Sequence, residues 1–231
     1  NQSSSSSEYA FNNPYAASSK APTEGEFVDW GNPVGEILYF TGCEAPVTGI
    51  WATEQFDVPA GYDFDFVSAN YNFENTILNG IVKPYKIFIK NGIKIGVFGL
   101  GIELEGLVDK KLYKETKYYN PIDVAKDITK TLKETEKCDL IICLSHLGFD
   151  YKNEKDKPSD LKLAAATQDI DLIIGGHTHT FLDKPVIKTN KAGKQVVINQ
   201  VGAYGINLGR IDFYFSDETK YISKEKNIVV I

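Results

Sequence analysis

The 231-residue chain has no methionine, two tryptophans, three histidines, three cysteines and a single arginine, Arg210. Methionine is absent even at position 1, and no charged-then-apolar leader opens the sequence, which points to a processed form or a fragment. Three scattered cysteines exclude a disulfide scaffold and leave the redox compartment open. Cys138 and Cys143 lie five apart in what reads as one strand, so they are expected to face opposite sides and not to bridge. No apolar run approaches the ~20 residues of a membrane-spanning helix, so no transmembrane segment is expected. Positive charge is also short: the net charge is -6, which gives a nucleic-acid polymer no broad electrostatic reason to bind. What remains is ample for a core, with 42% hydrophobic and 24% charged residues.

That charge is unevenly spread. Residues 1–60 hold one basic residue, Lys20, against eight acidic ones, whereas residues 61–231 hold 24 basic and 23 acidic. The first stretch begins with a serine run, carries Pro14, Pro22, Pro33, Pro46 and Pro59, and contains both Trp30 and Trp51. Apart from a short strand-like Glu36–Phe40, its apolar residues follow neither a 3.6 nor a 2 period. It is expected to be an atypical acidic segment, partly disordered and otherwise an irregular wrap, ahead of an α/β domain over 61–231.

The second part is regular. Ile93–Leu100, Asp139–Ser145 and Ile170–Ile174 are continuous apolar runs suited to buried strands. Pro121 opens a helix to about Lys137, with Ile122, Val124, Ala125, Ile128 and Leu132 on one face. Ser159 caps a short helix to Ala166. Gln195–Val201 and Leu208–Phe215 read as later strands, with Gly202, Gly205 and Gly209 turning between them, and Tyr221–Ile231 as an edge strand. Gly96, Gly99 and Gly101 read as strand-end turns and fit no dinucleotide fingerprint. Asp150–Asp160 reads as a charged loop with nothing placed to act as a base, and Arg210 as a structural partner of a carboxylate. Apolar strands alternating with amphipathic helices define a layered α/β fold.

Chemistry gathers where two buried strands stop. Ser145-His146-Leu147-Gly148 follows one, and Gly175-Gly176-His177-Thr178-His179 follows the next. Ligand sites of open α/β sheets favour the carboxyl ends of strands. Every histidine of the chain sits there, and imidazole is a borderline-soft nitrogen donor for zinc, iron, manganese or nickel-class ions. In an extended turn, His177 and His179 reach toward one side.

From about Asp63 to Phe215 these residues resemble the calcineurin-like metallophosphoesterases, in the bacterial 5′-nucleotidase branch. The matching stretches are Ser68-Ala69-Asn70, Lys94–Leu100, Leu144–Gly148, Asp171–His179, Asn199–Gly202 and Leu208-Gly209. The resemblance implies a layered β-sandwich flanked by helices, with the N-terminal half atypical or missing. It also implies divalent metal ions (Zn, Mn, Fe or similar), with His146 and His177 on one and His179 on the other. The implied reaction is hydrolysis of a small phosphorylated molecule, such as a nucleotide, by a metal-activated hydroxide, in a periplasmic, cell-surface or secreted setting.

In the family, the other ligands come from Asp-x-His, Gly-Asp and Asn-His motifs upstream. This chain has no fourth histidine: Pro33 follows Gly31-Asn32 where the histidine belongs, and Asp29 and Asp57 have the wrong neighbours. Nothing after Phe215 is long enough for the base-stacking C-terminal domain common in the branch. The expectation is therefore an incomplete dinuclear site holding a single metal, with catalytic and substrate-binding residues unassigned. Two functions follow: a phosphoesterase completed by absent sequence or by a second chain, or a non-catalytic or truncated member used for binding or assembly.

Overall fold

The structure, a computed structural model, describes residues 36–39, 65–90, 92–203, 207–215 and 222–229. The remainder of the acidic opening segment, and Gly205, lie outside the described residues. The central sheet has six strands in the order β3-β4-β6-β7-β9-β8. These are β3 Tyr85–Lys90, β4 Ile93–Leu100, β6 Leu140–Ser145, β7 Leu172–Gly175, β8 Val186–Thr189 and β9 Gln195–Asn199. Its four inner strands are parallel, and β3 and β8 close the edges antiparallel. A second, antiparallel sheet joins β1 Glu36–Tyr39, β10 Asn207–Tyr214 and β11 Ile222–Val229. A short ladder pairs β2 Tyr71–Asn72 with β5 Lys117–Tyr118.

The inner strands are apolar on both faces because both faces are covered. Phe98, Ile141, Cys143, Ile173, Val196 and Ile198 point toward the helices and pack with Ala125, Leu132, Leu163 and Ala164. Alternate residues Val97, Leu140, Ile142, Leu172 and Val197 point the other way and meet Ile211 and Phe213 of β10. The fold is thus a β-sandwich with helices on one outer face, the layered sandwich that the resemblance implies. A single-turn helix α1 spans Lys110–Tyr113, and helix α2 spans Pro121–Lys130. Asn120 caps α2, accepting from Ile122 N and Asp123 N, with Pro121 at the first helical position. The last turn widens into a π-turn over Thr131–Thr135. Helix α3, Asp160–Ala166, is capped by Ser159 as expected.

Expectations for Cys138 and for three glycines are corrected. Cys138 precedes β6 rather than lying in it, so it shares the helix-side core with Cys143; both are buried free thiols. Gly96 and Gly99 lie inside β4, and Gly209 inside β10, so none of them turns the chain. Gly99 serves close approach instead: Ala69 N–H donates to its carbonyl at 2.8 Å, and an added Cβ would lie 2.1 Å from Val67 O. Strand β3 and its antiparallel pairing with β4 belong to the fold beside the strands anticipated above. Arg210 does pair a carboxylate, Nε donating to Asp212 Oδ1 at 3.1 Å.

Gly99→Ala is expected to destabilise the domain by ~1–3 kcal/mol, because backbone must move to admit the methyl. Gly96→Ala should cost less, since its nearest obstacle is the end of Leu132 at 2.9 Å. Urea midpoints of the two variants test this order; equal losses would contradict it.

Candidate metal site at the strand ends

The parallel register sets Ser145 opposite Gly175, so the loops after β6 and β7 emerge side by side. His146 opens the first, its N–H donating to Leu100 O at 2.8 Å. The second carries Gly176, His177, Thr178 and His179. The rings of His146 and His177 stand edge to face with centroids 5.2 Å apart. Gly176 lies directly beneath His146, where a Cβ would come 3.0 Å from its Nδ1.

Both rings are half-buried. Burial pushes His146 down to about 4, and the neighbouring imidazoles of His177 and His179 add to the shift. Burial also lowers His177, with Lys157 and His179 contributing. Near neutral pH, these two side chains are uncharged nitrogen donors. His177 and His179 take positive φ values of 71° and 50° rather than the extended turn anticipated. Left-handed backbone at non-glycine residues costs energy and clusters at functional sites. His146 and His177 have the donor chemistry a divalent ion needs. Among the described residues, no three His, Cys, Asp or Glu side chains form a group that could hold a metal.

A buried acid lies beneath the site. Asp160, the first residue of α3, is fully buried rather than part of a solvated charged loop. Ser145 Oγ donates to its Oδ1, and its own N–H donates to Gly148 O at 2.8 Å. Among the described residues its Oδ2 has no hydrogen-bond partner, and it lies against Gly175, whose added Cβ would sit 2.2 Å away. Burial raises this carboxyl to about 8, against which the Ser145 hydroxyl works only partly. Asn70, also fully buried, fixes the end of β4: its amide exchanges two hydrogen bonds of 2.8 Å with Gly101 N and O. Gln200 and Thr178 bridge the loops through side-chain hydrogen bonds. Sequence alone assigns no role to Asp160, Gln200 and Thr178, although Thr178 and Gln200 lie in the stretches that carry the resemblance.

Comparisons with known proteins bear on the fold and the family. Residues covering 65% of the chain are 32% identical to the trifunctional nucleotide phosphoesterase protein YfkN of Bacillus subtilis (strain 168), of which they span 10%. A 5′-nucleotidase of Vibrio vulnificus (strain CMCP6) is 32% identical over 66% of the chain and 31% of its own length. The crystal structure of a 5′-nucleotidase precursor from Thermus thermophilus superposes with a TM-score of 0.64 at 24% identity, covering 74% of this chain and 34% of that one. A family model described as alpha-L-rhamnosidase matches residues 26–118, less than half the chain. The described part of that window includes β4, a central strand of the histidine-bearing sheet. Over about two thirds of its length the chain is therefore similar to part of 5′-nucleotidases and nucleotide phosphoesterases. It spans about a tenth to a third of the length of these curated relatives.

Asp160 yields a pH prediction. Its folded-state value, about 8, exceeds the unfolded 3.8, so the folded chain holds the proton between those limits. Stability should therefore fall as pH rises from about 4 to 8 and level off above. Asp160→Asn, which keeps an oxygen for Ser145, should match the parent near pH 4 and exceed it by on the order of a few kcal/mol at pH 9. Denaturation midpoints at both pH values check this; parallel pH profiles for the two proteins would contradict it.

Proposed function

We propose that this chain provides the histidine half of a divalent-metal site in a phosphomonoesterase of 5′-nucleotidase type. The carrying observation is the pair of uncharged imidazoles, His146 and His177, packed edge to face at the ends of adjacent parallel strands. The similarity to nucleotide phosphoesterases supports a phosphoesterase-family role. His146 and His177 would hold one metal and His179 a second, with zinc, manganese and iron suited to the donors. A divalent ion bound there supplies Lewis-acid charge for phosphoryl oxygens.

The chain's own residues prepare the site. Burial keeps His146 and His177 unprotonated, so protons do not compete for their nitrogens. Lys157, which also lowers His177, is itself held by Glu154 at 3.5 Å and by the Tyr151 ring. A protein of this type works in the periplasm, at the cell surface or after secretion. Among the described residues, no helix is long and apolar enough to cross a membrane.

Imidazole ligands carry no negative charge to offset the repulsion between two dications, and the sequence offers no fourth histidine. The remaining ligands would come from sequence beyond this chain or from a second chain. A non-catalytic role in binding or assembly is the second reading, favoured by that histidine count. Accordingly, the isolated chain should bind Zn²⁺ or Mn²⁺ through His146 and His177. It should hydrolyse a generic phosphomonoester at least ~10²–10³-fold below ordinary enzyme turnover of ~10 s⁻¹. Titration calorimetry and phosphate release on the parent, His146→Ala and His177→Ala test both parts. Metal affinity unchanged in both variants would refute the site, and full turnover abolished by His177→Ala would refute the half-site assignment.

A further inference from the structure

Thr178, between His177 and His179, is the hub of a polar network joining the two histidine loops. Phe149 N–H, on the loop after β6, donates to its hydroxyl at 3.0 Å. The same hydroxyl donates to Gln200 Oε1 at 3.1 Å and stands 2.9 Å from Thr180 Oγ1. With its one proton given to Gln200, it accepts from both Phe149 and Thr180. Gln200, fully buried just past β9, donates from Nε2 to Gly176 O at 2.7 Å and accepts the Thr180 N–H at Oε1. Those partners fix the amide's orientation, because a carbonyl only accepts and a backbone N–H only donates. Gly148, at φ 90°, makes room: a Cβ there would lie 2.8 Å from Thr178 Cγ2.

We propose that Thr178 and Gln200 form a clasp that sets His177 and His179 in position relative to His146. They are positioning residues; neither is placed as a metal ligand. The clasp is needed because two left-handed histidines so close together would otherwise relax toward extended backbone and carry the rings apart. Gln200 holds the ends of the 176–180 turn, and Thr178 ties its middle to the neighbouring loop. The functional meaning of the clasp rests on the proposed metal site, but its geometry does not.

The test separates the two. Ring-proton NOEs between His146 and His177 are recorded on the metal-free chain and on Thr178→Ser and Thr178→Val, alongside melting curves and Zn²⁺ titration. The parent and Thr178→Ser, which keeps the hydroxyl, should show the cross-peak. Thr178→Val should remain folded, lose the cross-peak and bind Zn²⁺ ~10–100-fold more weakly, a loss typical of removing support behind a ligand. A cross-peak of parental intensity in Thr178→Val overturns the clasp. If that variant does not fold, Gln200→Glu, which turns an acceptor toward Gly176 O, is read in the same way. Should the parent bind Zn²⁺ no more tightly than His177→Ala, the metal site is wrong, while the cross-peak comparison still decides the clasp.

Discussion

Parallel pairing of β4, β6 and β7 is the constraint on which the site depends. Leu100 is paired with Ser145, and Ser145 with Gly175, so three strands end level. Residues about 30 positions apart in the chain then meet at one edge without any loop reaching for them. A one-residue slip between β6 and β7 would turn Leu140 and Ile142 from the β10 face toward the helices, at the cost of both cores. The apolar patterning that secures the sandwich therefore also fixes the spacing between His146 and His177.

Around this edge, buried polar side chains hold the strand ends and the loops. Asn70 holds the end of β4 through Gly101, Ser145 and Asp160 hold the loop after β6, and Gln200 holds the loop after β7. Unsatisfied buried polar groups are expensive, so such side chains make their partners' geometry hard to change. The same low-polarity setting keeps His146 and His177 uncharged and Asp160 protonated near neutrality. One environment thus removes charge from the two histidines and from Asp160 alike.

Much of this was legible in the sequence because it depends on local pattern. The apolar runs of β4, β6 and β7, the stripe of α2, the Ser159 cap and the histidines at strand ends are all written within a few consecutive residues. What was not legible depends on contacts between distant segments. Asp160 looks like part of a charged loop until α3 folds against Ser145, and Gln200 looks like a strand-end polar residue until Gly176 and Thr180 close on it. Gly99 reads as a turn because sequence alone does not show that Val67 backbone crosses it. The left-handed histidines escaped for the same reason: their conformation is held by partners 20 or more positions away.

Central to the proposed role is that the level strand ends present His146 and His177 as ligands of one divalent ion. Anomalous diffraction from crystals of the chain soaked in Mn²⁺ or Zn²⁺ tests this directly. The expected result is a single strong peak within about 2.0–2.2 Å of a ring nitrogen of each of these two histidines. A metal peak elsewhere on the chain with both rings unligated, or no peak at a concentration that saturates binding in solution, would contradict it.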